Sequence, residues 1–101
     1  MTKSAEISLM KTLAMNHELA RDGITFNSVA PGRVIFDGNE WDAFRRENPQ
    51  KFEQAVRAGV PLERAGTPEE VAALVVFVCS DRAAFLNGAC IAIDGGESRS
   101  F

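Results

Sequence analysis

The sequence predicts an α/β fold, on three observations. Helix and strand candidates alternate along the chain. Both strand candidates are apolar on both faces, the pattern of a parallel sheet covered by helices. The helix between them carries strong N-terminal signals, and one right-handed crossover through it would set the two strands side by side.

Residues 4–22 read as the first helix. Ile7, Met10, Leu13, Ala14 and Ala20 form an apolar stripe at helical spacing. Gly23 follows where a left-handed capping residue belongs. Residues 24–29 (Ile-Thr-Phe-Asn-Ser-Val) read as a short strand that Pro31-Gly32 ends. Residues 33–66 then form an excursion, with Trp41, Phe44 and Phe52 among many charges and breakers at Gly38, Pro49, Gly59 and Pro61. Two short helices are predicted in it, 39–47 and 50–58, with Phe52 and Val56 on one face. Excursions of this length often serve as lids or binding loops.

The helix over 67–80 is the best signalled. Thr67 is a good N-cap, Pro68 suits the first helical position, and Glu70 completes a capping box. Glu69 and Glu70 both sit at the positive end of the helix dipole. Val71, Leu74, Val75 and Val78 supply its core stripe. After a turn through Asn87-Gly88, residues 89–93 read as a buried strand, ended by Asp94-Gly95-Gly96.

Two parallel strands make a poor sheet alone. The first strand has an edge that its composition wants covered, and the opening helix has no strand ahead of it. The pattern therefore reads as the C-terminal portion of a doubly wound parallel-sheet domain. The 101 residues suffice for one domain and not for two.

Composition excludes several functions. Hydrophobic residues make up 46% and charged residues 25%, with a net charge of −3 and no basic tract, so no nucleic-acid partner is expected. No apolar run is long enough to span a bilayer, and Glu6, Lys11 and Glu18 interrupt any secretory-signal core. Cys79 and Cys90 lie in apolar sequence and read as buried, reduced core thiols of a cytoplasmic protein, in preference to a disulfide. The single histidine, His17, reads as a surface or interface residue. With the cysteine spacing it makes no metal site.

Four stretches carry a family resemblance. They are Thr2-Lys3-Ser4-Ala5, the segment from Gly23 to Gly32 that ends Asn-Ser-Val-Ala-Pro-Gly, the segment from Arg64 to Ala72, and Asn87-Gly88 followed by Asp94-Gly95-Gly96. In this order and spacing they resemble the C-terminal half of short-chain dehydrogenases/reductases. The resemblance implies that residues 1–101 are part of a Rossmann-type NAD(P)-binding domain. It implies oxidation or reduction of an alcohol/carbonyl pair in a small-molecule substrate, with NAD or NADP bound by the intact family member. It also implies a homo-oligomer formed through helices 4–22 and 67–80 and strand 89–93.

The same resemblance assigns residues. Lys3 matches the family's catalytic lysine, which also holds the nicotinamide ribose. Its charge lowers the pKa of a tyrosine four residues upstream from a usual value near ~10. Pro31, Gly32 and Val34 would line the nicotinamide pocket, mainly through backbone groups. Trp41, Phe44 and Phe52 form either an apolar wall over a substrate or packing of the excursion onto the body, and both readings stand. Arg45 and Arg46 read as a solvated helix face. Asn27 and Ser28 read as partners in strand and turn hydrogen bonding.

The sequence also departs from the family pattern. It contains no tyrosine. The positions of the family's tyrosine, serine and helix asparagine would fall before Met1. Its glycines never fall in the dinucleotide-binding spacing. Phe36 stands where many members have a threonine that reaches the cofactor. These 101 residues are therefore expected to be an inactive fragment that does not bind the cofactor alone. A non-catalytic interaction module and one half of a split enzyme are the alternatives.

Overall fold

The structure, a computed structural model, describes residues 3–98, with side chains from residue 5 onward. Its elements are α1 (Lys3–Ala14), α2 (His17–Arg21), β1 (Ser28–Pro31), α3 (Glu40–Glu47), α4 (Pro49–Gly59), α5 (Pro68–Val78), a 3-10 turn (Asp81–Ala83) and β2 (Cys90–Ile93). The two strands are neighbours in one sheet. They run parallel: the Ser28 N–H donates to Ala89 O (2.8 Å) and the Gly32 N–H donates to Ile93 O (3.1 Å).

The helix expected over 4–22 is in fact two. Asn16 interrupts it in an extended conformation (φ −74°, ψ 115°), and its side chain accepts the Leu19 N–H as the N-cap of α2. Asparagine competes for backbone donors in this way, which is why it caps helices better than it continues them. Gly23 adopts φ +80° after α2, the left-handed position its sequence context predicts.

The first strand begins later than expected, at Ser28. Before it, side chains replace the ladder. The Phe26 N–H donates to Asn87 Oδ1 (3.0 Å), the Ala89 N–H donates to Asn27 Oδ1 (3.0 Å), and Asn27 Nδ2 donates to Leu86 O (3.1 Å). The hydrogen bonding expected of Asn27 is thus made through its side chain, to the segment leading into β2. Asn87 Nδ2 also reaches Ala14 O (2.7 Å), tying the end of α1 to the same turn.

The two helices of the excursion and α5 lie within one or two residues of their expected bounds. The capping box at α5 forms as read: the Thr67 N–H donates to Glu70 Oε1 (3.0 Å), and the Glu70 N–H donates to Thr67 Oγ1 (3.3 Å).

Burial departs furthest from expectation. No residue of β1, β2 or α5 is buried. Val75 of the predicted core stripe is 41% exposed, and Val71, Leu74 and Val78 are only half-buried. Cys79 and Cys90 are free thiols as expected, but both are exposed, not core residues. The physical reason is common to all: no described element covers these faces, so apolar composition alone does not remove them from water.

The described residues belong to two compact units. One comprises Met1–Ala30 with Leu74–Ile91, the other Pro31–Ala73 with Ala92–Phe101. The first has a single buried apolar residue, Ala83, and leaves Ile7, Leu9, Met15, Val76 and Phe85 exposed. The second packs Val34, Val56 and Val60 into a small core beside one buried carboxylate, Asp42. The candidate site residues other than Lys3 lie in this second unit.

Candidate functional site

Lys3 opens α1, but its side chain lies outside the described residues. The rest of the site is built on the segment that follows β1. Pro31 is exposed, Gly32 is half-buried, and Val34 is 3% exposed in the core of the second unit. Val34 forms an isolated parallel bridge with Gly66. Around it the Gly66 N–H donates to Arg33 O (2.8 Å) and the Ile35 N–H donates to Gly66 O (3.2 Å). The segment is thereby fixed on both sides, by the end of β2 and by the approach to α5.

Gly32 is required by packing. A Cβ there would lie 2.6 Å from Asp94 Cβ and 3.0 Å from Asp94 Cα. Asp94 is itself held: its Oδ1 accepts the Gly96 N–H (2.9 Å) and its Oδ2 accepts the Ser98 N–H (2.9 Å). The Pro-Gly turn and the Asp-Gly-Gly turn, two of the recognisable stretches in the sequence, are thus in direct contact.

The excursion folds as a helical hairpin. Phe44 of α3 and Phe52 of α4 pack at 5.8 Å between ring centroids, tilted by 57°, a favourable aromatic geometry. Trp41 lies under the Arg33 guanidinium at 5.1 Å. Asn39 caps α3, accepting the Asp42 N–H (2.8 Å) and donating from Nδ2 to Val34 O (2.8 Å). That side chain connects the hairpin directly to the segment after β1.

Asp42 is 1% exposed. It accepts the Gly38 N–H (3.0 Å) and pairs with Arg45 (2.6 Å) and Arg46 (3.1 Å). The Gly38 hydrogen bond holds its carboxyl below the usual carboxylate range. Burial opposes this, and Arg45 and Arg46 reinforce it. Arg45 and Arg46, expected on a solvated face, are exposed along much of their length but neutralise this buried charge. At α5, the two-pronged hydrogen bonding from Arg64 (2.8 and 2.7 Å) and the Thr67 N–H pull Glu70 down to about 2.

Two clefts open in this unit. The smaller, about 110 Å³, is walled by Arg33, Val34, Arg64, Glu70 and Asp94, among others. Its two arginines are already paired, with Glu97 and Glu70. The larger, about 540 Å³ and open to solvent, is lined by Ile35, Asp37, Arg45, Phe52, Thr67 and Glu69, among others. Of the three aromatic candidates, Phe52 alone lines either cleft. Phe44 backs it, and Trp41 stands on Arg33 instead. Sequence reading missed Arg33, Asn39, Asp42 and Glu97. Only Asn39 left a usable signal, a capping residue three positions before Asp42.

Comparison with known proteins accounts for this arrangement. A family described as Enoyl-(Acyl carrier protein) reductase matches residues 1–98. The chain belongs to the short-chain dehydrogenase/reductase family. A short-chain dehydrogenase/reductase relative, a probable 2,4-dienoyl-CoA reductase of Bacillus subtilis, is 41% identical over 95 residues, covering 94% of this chain and 36% of that protein. The meso-2,3-butanediol dehydrogenase of Serratia marcescens is 39% identical over 99 residues, covering 97% and 36%. Among solved structures, the NADPH-dependent reductase YwfH of bacilysin biosynthesis superposes with a TM-score of 0.82 at 33% identity, covering 97% of this chain and 38% of that one. The L-sorbose reductase of Gluconobacter frateurii, complexed with NADPH and L-sorbose, gives 0.80 at 29% identity, with coverage of 99% and 40%. The chain thus spans little more than a third of the length of these relatives, and its α/β elements form part of their domain. No helix among the described residues is long and apolar enough to cross a membrane.

No glycine-rich spacing for a pyrophosphate occurs in the sequence. On its Cβ side Gly32 is filled by Asp94.

Proposed function

We propose that this chain serves NAD(P)-dependent interconversion of an alcohol and a carbonyl, as the part of the enzyme that faces the nicotinamide and the substrate. The observation that carries the reading is the fixed segment after β1, braced between Asp94 and Gly66 beside a cleft that the hairpin helps to wall. Residues 31, 32 and 34 would present backbone to the nicotinamide. Lys3 would supply the cation that keeps a phenol acidic, and the excursion 33–66, with Trp41, Phe44 and Phe52, would form the substrate side. When bound, the cofactor supplies or accepts hydride.

The acid/base tyrosine is not among these 101 residues, so the chain by itself is proposed to be catalytically silent. The test is a chimera in which this chain replaces the corresponding third of the Serratia butanediol dehydrogenase. Nicotinamide-dependent turnover that disappears in Lys3→Met supports the reading. A folded chimera with no nucleotide binding refutes it, and turnover by the 101 residues alone refutes the silence.

A second reading, an association module, is favoured by the exposed apolar side chains of α1 and α5, among them Ile7, Leu9, Val75, Val76 and Phe77. On this reading the chain pairs with a second copy through α1–α2, α5 and β2. Sedimentation of a well-folded monomer across the micromolar range would dispose of it.

A further inference from the structure

Arg33 stands between two residues given a cofactor-facing role, yet its own side chain turns to the excursion. One Nη donates to Ala55 O in α4 (2.9 Å). The guanidinium plane lies over Trp41 of α3. Its Nε lies 2.8 Å from Glu97 Oε1, in the segment after β2. That N–H finds no hydrogen-bond acceptor in good geometry, so the contact with Glu97 is held by charge and not by a directed bond. The two side chains are only 21% and 27% exposed, which separates them from the other ion pairs of the surface. A Cβ on Gly59 would lie 3.0 Å from the guanidinium, so the end of α4 also closes around it. Glu97 in turn is set by the Asp94 turn that packs on Gly32, and its Oε2 would lie 3.0 Å from a Gly32 Cβ.

One cation therefore joins both helices of the hairpin, α3 and α4, to the turn after β2, which is remote from them in sequence. We propose that Arg33 is a positioning residue and that Arg33 and Glu97 form a latch, through which the turn after β2 holds the α3–α4 hairpin against the segment after β1. Releasing Glu97 frees the guanidinium to leave Trp41 and Ala55, and the hairpin loosens. The larger cleft takes Arg45 from α3 and Phe52 from α4, so the latch sets the position of two of its walls. The proposal rests on the geometry of this unit and stands whether or not the cofactor reading does.

The 101-residue chain contains one tryptophan and no tyrosine, so its emission reports Trp41 alone. Glu97→Gln keeps the size of the side chain and removes its charge. The expected result is greater acrylamide quenching of Trp41 and about fivefold faster amide exchange in α3 and α4. Exchange in α1 and α2 stays at the parent rate. Added salt should speed exchange in α3 and α4 of the parent, and do so less in Glu97→Gln, because the contact is one of charge. In an Arg33→Met background Glu97→Gln should add nothing. If Arg33→Met does not fold, Arg33→Lys, which keeps the charge but not the planar fork, takes its place and should give an intermediate quenching. Unchanged Trp41 quenching in Glu97→Gln would overturn the latch. So would equal acceleration in every helix, or a parent chain whose Trp41 is already as accessible as a free tryptophan derivative.

Discussion

Gly32→Ala tests the close approach on which the candidate site is built. The introduced Cβ would meet Asp94 Cβ at 2.6 Å, against an ordinary carbon–carbon separation of roughly 3.5–4.0 Å. About 1 Å must therefore be found. Asp94 cannot yield it cheaply, because both its carboxylate oxygens accept backbone N–H groups and the preceding Ile93 O accepts the Gly32 N–H. Overpacking of this kind costs about 1–3 kcal/mol, a shift of roughly 5–20 °C in melting temperature for a chain of this size. The assay is urea or thermal unfolding followed by circular dichroism, in a stabilising osmolyte. A Gly32→Ala chain that melts with the parent would refute the reasoning.

Three further outcomes are expected. Asp42 and Glu70 both have lowered pKa values, Glu70 to about 2 from an ordinary 4.5. Their stabilisation is complete above an unfolded carboxyl's pKa and is lost as pH falls through the folded one, so Trp41 emission should report loosening of the second unit between about pH 4.5 and 2. Glu70→Gln should flatten that profile, and an identical profile would count against it. Asp42→Asn replaces charge-assisted hydrogen bonds by neutral ones and should speed amide exchange over 38–47 by about tenfold, with no change in α1; uniform exchange would contradict it. Finally, α1 and α2 pack against almost no buried apolar residue, whereas Val56 and Val60 belong to the core of the second unit. Amides of the first two helices should exchange at least about tenfold faster than those of α4, and a single sharp transition with equal protection throughout would show that the uneven core does not govern stability.

What the sequence revealed depended on how local the signal was. The capping box of Thr67 and Glu70 involves residues three apart, and it formed as read. The hairpin helices were bounded by Pro49 and Gly59, whose effect is on their own backbone. The break at Asn16 was equally local but went unread, because an apolar stripe on both sides of it outweighed one capping residue. The strand start failed for a different reason. Asn27 and Asn87 are far apart in sequence, and only their meeting shows that side chains take the place of two ladder bonds.

The same division holds for the site. From sequence alone came the α/β order, the Pro-Gly turn and the stretches that carry the family resemblance. These follow from short patterns with their own backbone chemistry. Only the folded chain decided that Gly32 serves the packing of Asp94, that Arg33 bridges three segments, that Asp42 is buried, and that both cysteines face outward. Each is a matter of which distant groups come within a few ångströms of one another, and charge and van der Waals forces act over that distance regardless of how many residues lie between.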